Sequence, residues 1–281
     1  MKIQKMCAFL LACGVIVTSV AACTSGNKPE VTVHAPATSA ATEETGLTVT
    51  EETDVTQTEA SETSEAEIIY FEGDRQTYAN NFITAFCKYG FSRTNGAGRF
   101  NTAEPDIEEI LRFVYFTTKD NDYSDFRFEN YGELTYATIP FDKACEVTGK
   151  YFSYLLKEED CQKFPEPPDK IADMVFGPYY KDGKIWFMAG DGEKYTLFGN
   201  ADHAVNNSDG TQTIYFTVYQ IDMDAYNELD YEGGLDKYYS MTPSEAEADQ
   251  TITKYGTGTA NVSIGQSGEF HLNTYEIEIT G

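Results

Sequence analysis

Histidine is scarce in this chain. Three occur in 281 residues, beside a single tryptophan, and only His203 and His271 lie beyond residue 67. Each falls in or next to a segment that reads as strand, so no imidazole stands out as the base of a Ser or Cys nucleophile. No Gly-x-Ser-x-Gly elbow occurs. His-x-x-x-His and Cys-x-x-Cys are missing too, which removes the usual zinc spacings. The Gly-rich stretch GFSRTNGAGRF, residues 90–100, lacks the Lys-Ser/Thr of a phosphate loop and any preceding strand, and reads as a connection between helices. The nearest approach to a calcium loop is DNDYSD from Asp120, but Asp125 stands at the turn glycine and Tyr131 at the bidentate Glu. No catalytic residue, metal ligand or cofactor is assigned from these patterns.

Basic residues are outnumbered, 20 Lys and Arg against 46 Asp and Glu, for a formal charge of −26. A field of that sign repels phosphate backbones and anionic headgroups, so nucleic acid is excluded as a partner. Carboxylates are instead so common that composition cannot single out a glycosidase pair: 10 lie in residues 24–67 and the other 36 of the 46 follow.

Long apolar runs are rare as well. The clearest is Met6 to Val17, behind Lys2 and Lys5. A spanning helix needs about 20 apolar residues, and this run is shorter and is followed by Thr18 and Ser19, with Gly14 inside it. It reads as an export signal. The order Val20-Ala21-Ala22-Cys23 resembles the lipobox of bacterial lipoproteins; an ordinary secretory signal followed by a chance cysteine is the competing reading. The resemblance implies that residues 1–22 are removed and that Cys23 carries a diacylglyceryl group as the lipidation site, anchoring the chain to the extracytoplasmic face of the cell membrane. Two acyl chains hold a protein where one does not. Without Lys2 and Lys5 the mature chain has 18 basic and 46 acidic residues, a charge of −28.

Residues 24–67 contain no Phe, Tyr or Trp and are dominated by Thr, Ser, Ala, Glu and Val. Such a segment has too little apolar surface to offset the entropy of ordering. With the lipidated Cys23 it forms the unit 23–67, a tether of about 44 coil residues spanning a few tens of ångströms on average.

Residues 68–281 are long enough for one domain with a real core. Three amphipathic helices come first. In DRQTYANNFITAFCKYG the apolar face is Tyr78, Phe82, Ala85, Phe86 and Tyr89, with Asp74 as N-cap and Gly90 as stop. In EPDIEEILRFVYFTTKD it is Ile107, Ile110, Leu111, Val114 and Tyr115, with Pro105 in the first turn. In DKACEVTGKYFSYLL, Asp142 caps a helix burying Ala144, Val147, Tyr151 and Leu155.

Strands follow. Asp182-Gly183, Asp191-Gly192 and Asp209-Gly210 each sit between β-rich runs, the pattern of type I′ hairpins, and three in succession predict a meander. TIYFTVYQI alternates Ile214, Phe216 and Val218 with Tyr215, Thr217 and Tyr219, bulky on both faces, as in a central strand. Thr242-Pro243-Ser244-Glu245 has the form of a capping box, and the last 30 residues read as one more hairpin. The predicted class is α+β, three N-terminal amphipathic helices on a mainly antiparallel, meander-type sheet.

The order of NNFITAFCKYGF, EILRFVYFTTKDND, ACEVTGKYF, YYKDGKIWFMAGDGE and DGTQTIYFTVYQID, covering most of Asn80 to Asp222, resembles a group of uncharacterised surface lipoproteins from Firmicutes. Where those relatives often carry Asn-Phe-Ser-Glu this chain has Ala85-Phe86-Cys87-Lys88, and where they often carry His it has Thr117. The resemblance implies localisation and gross architecture, and brings no catalytic residue. Helices followed by a curved antiparallel sheet also look like the NTF2-like cone.

Aromatic residues are the remaining functional signal. Tyr179, Tyr180, Tyr215, Tyr219 and the sole Trp186, with Tyr238 and Tyr239 nearby, are candidates for stacking on a glycan or anchoring a protein or small ligand; cross-strand packing explains the same residues. Beyond Cys23 three cysteines remain, and Cys145 and Cys161 are spaced for a bridge, while burial of all three thiols is the other reading. The expected function is a membrane-anchored extracytoplasmic lipoprotein whose domain is a noncatalytic binding module, with a carboxylate-based cell-envelope hydrolase and an inert surface spacer as alternatives.

Overall fold

The computed structural model describes residues 67–88, 98–121, 123–171, 175–189, 196–229 and 234–280, which belong to the unit Ser61–Gly281. Cys23, the tether up to residue 66, Tyr89, Gly90, residues 91–97 and Asp191-Gly192 lie outside them.

The chain is α+β, with two antiparallel sheets. The larger has the order β1-β7-β8-β9-β10-β2, from β1 (Ile68–Tyr70), β2 (Arg99–Asn101), β7 (Leu197–Asn206), β8 (Gln212–Ile221), β9 (Ile252–Ile264) and β10 (Phe270–Ile279). The smaller has the order β3-β4-β6-β5, from β3 (Arg127–Tyr131), β4 (Leu134–Pro140), β5 (Tyr179–Lys181) and β6 (Lys184–Met188). The described helices are α1 (Gly73–Lys88), α2 (Ile107–Asn121), α3 (Phe141–Tyr151) and the short α4 (Glu158–Cys161), α5 (Met223–Glu228), α6 (Asp236–Tyr239) and α7 (Pro243–Ala248).

The Asp-Gly signals divide three ways. Asp182 and Gly183 have φ of 52° and 70° and join β5 to β6 as a two-residue type I′ turn demands. Asp209-Gly210 also sits in a hairpin, but only Gly210 has positive φ; the loop is longer and closed by Asn207 N donating to Thr211 O at 2.9 Å. The expected hairpin at Asp191-Gly192 is a correction. Its flanking strands belong to different sheets, β6 pairing with β4 and β5, and β7 with β1 and β8. Local turn chemistry does not reveal that the chain there leaves one sheet for the other.

α3 brings two further corrections. Its N-cap is Pro140, not Asp142, whose carboxylate accepts from the next amide, Lys143 N, at 2.9 Å. The helix ends at Tyr151 because Phe152 turns extended and bridges Leu272 of β10; Leu155 is therefore off the helix and 77% exposed, and Leu156 is buried instead. The capping box at Thr242 is present: Thr242 N donates to the Glu245 carboxylate at 2.8 Å and Glu245 N to Thr242 Oγ1 at 3.4 Å.

Phe82, Ile83 and Phe86 of α1 share the main core with Phe113 of α2 and with Phe216, Val218, Phe270 and Tyr275 of the larger sheet. The approach of α1 is close enough that a Cβ on Gly199 would collide with the Ile83 side chain, and Gly199 N donates to Thr84 Oγ1 at 3.0 Å. α1 also has a polar seam. Buried Asn80 accepts from Ala201 N at 2.8 Å while its amide donates to the carbonyls of Tyr239 and Met241 at 3.0 and 2.8 Å, so residues 239–241 are tied to α1 and to β7 together.

Candidate binding surface

Ile214, Phe216 and Val218 of β8 enter the main core, so Tyr215, Thr217 and Tyr219 fall on the opposite face of the larger sheet. That face has two halves. At one end Phe198, Tyr219, Ile221 and Ile252 form a separate cluster with Tyr238, Met241 and Ala246, and are sealed.

At the other end paired positions line up across all six strands. Tyr70 faces His203, His203 faces Tyr215, Tyr215 faces Thr259, Thr259 faces Glu276 and Glu276 faces Arg99. Directly opposed residues share a face, so one transverse row runs aromatic, aromatic, aromatic, hydroxyl, acid, base. Its rings are open: Tyr70 is 71% and Tyr215 39% exposed. The His203 ring lies flat on Tyr215, centroids 4.7 Å apart and 11° from parallel, with Tyr70 at 6.1 Å on the other side. Arg99 closes the row with a 2.6 Å ion pair to Glu276, exposed and of small energetic value. A neighbouring row of Ile68, Val205, Thr213, Asn261, Thr274 and Asn101 crosses the six strands in the same way.

Where the open half meets the sealed half there is a cavity of about 470 Å³, lined by Asp202, His203, Tyr215, Thr259, Glu276 and Glu278 among others. Asp202 is the extra residue of a bulge between Ala201 and His203, and such a residue is re-aimed relative to its strand. Burial pushes its carboxyl above the ordinary value, with Glu247 adding to the effect and His203 and Lys254 opposing it. Among the described residues no hydrogen bond or ion pair reaches that carboxylate. The arrangement presents flat ring faces, hydroxyls and a desolvated acid to whatever lies on the sheet.

The structure disperses the five aromatic candidates. Tyr179 and Trp186 are buried beside Leu134 and Tyr136 on the smaller sheet; Trp186 Nε1 donates to Lys181 O at 3.1 Å and Tyr179 hydroxyl to Val175 O at 2.9 Å. Tyr180 packs against the main core and donates to Glu158 at 2.7 Å. Tyr219 is stacked on Phe198 at 5.7 Å in the sealed half. Tyr215 alone of the five faces out of the open half. Tyr70, His203, Glu276 and Arg99 join it through register, which no local pattern carries; the alternation of TIYFTVYQI is the one sequence signal that pointed to this face.

No three His, Cys, Asp or Glu residues converge on a metal position among the described residues. In the DNDYSD stretch Asp120 pairs with Lys88 at 3.3 Å and Asp125 with Lys143 at 3.1 Å; Asp122 lies outside the described residues. The three described cysteines form no disulfide with one another, Cys87 and Cys161 being buried and Cys145 half-buried, so the Cys145–Cys161 bridge is absent. Cys145 Sγ instead contacts Leu156 O at 3.5 Å. No described helix is long and apolar enough to cross a membrane. No family model, curated protein or solved structure matches the chain.

Proposed function

We propose that this protein is a lipid-anchored lipoprotein of the extracytoplasmic membrane face, with Cys23 as the lipidated residue, residues 24–67 as tether, and a noncatalytic binding module beyond them. The observation that carries the binding reading is the exposed row from Tyr70 to Arg99 across six strands. Ring faces beside hydroxyls and acids suit a glycan or an extended protein segment laid over the sheet, since stacking and hydrogen bonding then act together. The lipid anchor rests on the basic, apolar and Val20-Ala21-Ala22-Cys23 order of the first residues. The finer fold reading, three helices on one face of the sheet in the manner of an NTF2-like cone, is part of the same proposal and is supported by the contacts of α1 with β7 and of α3 with β10.

A carboxylate-based hydrolase is the second reading, favoured by one observation: Asp202, with its raised carboxyl, lines the same cavity as Glu276 and Glu278.

The experiment is a thermal-unfolding screen of the full chain against cell-wall fragments, glycans and short peptides, beside Tyr215→Ala. A ligand at about 100 times its Kd adds about 2.7 kcal/mol of stability. The expected result is a shift from one class that Tyr215→Ala reduces. Turnover of a cell-wall glycan, lost in Asp202→Asn, would replace the first reading by the second. Intact mass of the native protein checks the lipid, which Cys23→Ala must remove.

A further inference from the structure

A groove of about 630 Å³ lies between α1, α3 and the start of β10, and shares no lining residue with the sheet cavity. Helical spacing builds two of its walls: Tyr78, Asn81 and Phe82 from α1, and Glu146, Gly149 and Lys150 from α3. Its floor is aromatic. Phe82 and Tyr151 stack at 6.4 Å and 16°, and Phe270 lies 5.4 Å from Phe82 and 5.2 Å from Tyr78. The Arg75 guanidinium caps Phe270 at 4.1 Å.

The rim carries both signs of charge. Lys150 makes no ion pair among the described residues, and its ammonium sits only over the Tyr151 ring at 5.3 Å. On the strand side is Glu269, whose one oxygen accepts from Ser267 N at 2.8 Å while the other stands 3.9 Å from His271. Glu146 is engaged by Lys143 at 3.2 Å.

Gly149 is the residue that packing does not explain. It lies in the last turn of α3, where glycine weakens a helix, and a Cβ there would meet nothing within 4 Å. Its effect is to keep the α3 wall of the groove low.

We propose that this groove binds a small zwitterion with an aromatic body, the chemistry of an aromatic amino acid or dipeptide. The apolar body lies on Phe82 and Tyr151, the carboxylate meets the uncommitted Lys150 ammonium, and the amine meets Glu269. The volume falls in the usual range for small-ligand sites, about 300 to 1,000 Å³. A neutral apolar ligand would leave the Lys150 ammonium unanswered.

Titration calorimetry of the full chain with phenylalanyl-phenylalanine tests this, beside the dipeptide amide, which lacks the carboxylate, and the N-acetylated amide, which lacks both charges. The free dipeptide is expected to bind at least about tenfold more tightly than the fully blocked one, the loss that charge-assisted bonds of this kind produce. Lys150→Ala is expected to weaken the free dipeptide and leave the amide unchanged. Gly149→Trp fills the groove and removes binding, whereas Gly149→Ala keeps it. Equal affinity for the blocked dipeptide, binding that survives a folded Gly149→Trp, or no binding by the folded wild type overturns the proposal. If Gly149→Trp does not fold, the Lys150→Ala comparison decides. Binding to the sheet face is unaffected by either variant, so the two sites fail separately.

Discussion

Asn80 and Asn200 donate to the same acceptor: both side-chain amides reach the carbonyl of Met241, at 2.8 and 2.7 Å. Asn80 comes from α1 and Asn200 from β7, and both are fully buried. The shared carbonyl fastens the segment after α6 to the strand and to the helix at once.

Asn80→Ala is therefore expected to cost about 2–4 kcal/mol, because it strands the Ala201 amide and the Tyr239 carbonyl in a dry setting. Asn200→Ala is expected to cost less, since Asn200 Oδ1 has no hydrogen-bond partner among the described residues. Urea unfolding of the two variants checks the ranking; equal losses would mean that the Asn80 seam is not the stronger tie.

The Asp202 carboxyl gives a pH dependence. Its folded pKa is raised, chiefly by burial, above an unfolded value of about 3.9, so the ionised form weighs against the fold at neutral pH. Asp202→Asn is expected to raise Tm at pH 7. The gap narrows as pH falls through the raised pKa and closes below about 4, where folded and unfolded chains both carry the proton. Melting curves from pH 7.5 to 3.5 read this directly, and a gap that widened on acidification would reverse the assignment.

Thiol chemistry separates burial from pairing. Burial, followed by the nearby Asp160 and Cys145, pushes the Cys161 thiol up to about 12, and burial raises Cys145 as well. The native protein at pH 7.5 is expected to leave Cys87 and Cys161 unmodified by iodoacetamide, with Cys145 reacting slowly. After unfolding without reductant, all three should titrate; a yield two thiols short would indicate a Cys145–Cys161 bridge.

Legibility followed the range of the interaction. The cores of α1 and α2, Phe82, Phe86, Ile110, Leu111 and Val114, repeat at helical spacing and could be read from neighbours in the chain. So could the Thr242 box and the turn at Asp182, whose hydrogen bonds or dihedrals close within a few residues. Buried Gln76, Asn80 and Asn200 could not: their partners are backbone groups of distant elements, and by side chain alone they read as surface.

The sequence by itself determined the α+β class, the buried faces of α1 and α2, the Thr242 capping box and the last hairpin, because each is set by residues close in the chain. It also carried the aromatic residues without saying which are free. Only the tertiary structure decided that Trp186, Tyr179 and Tyr219 are packed away while Tyr215 stands open beside His203 and Tyr70. For Tyr219 and Tyr215 the choice depends on strand register and on which half of the larger sheet α6 and α7 cover, and for Trp186 and Tyr179 on their packing with Leu134 and Tyr136 of the smaller sheet; all of these are contacts between segments far apart in the chain.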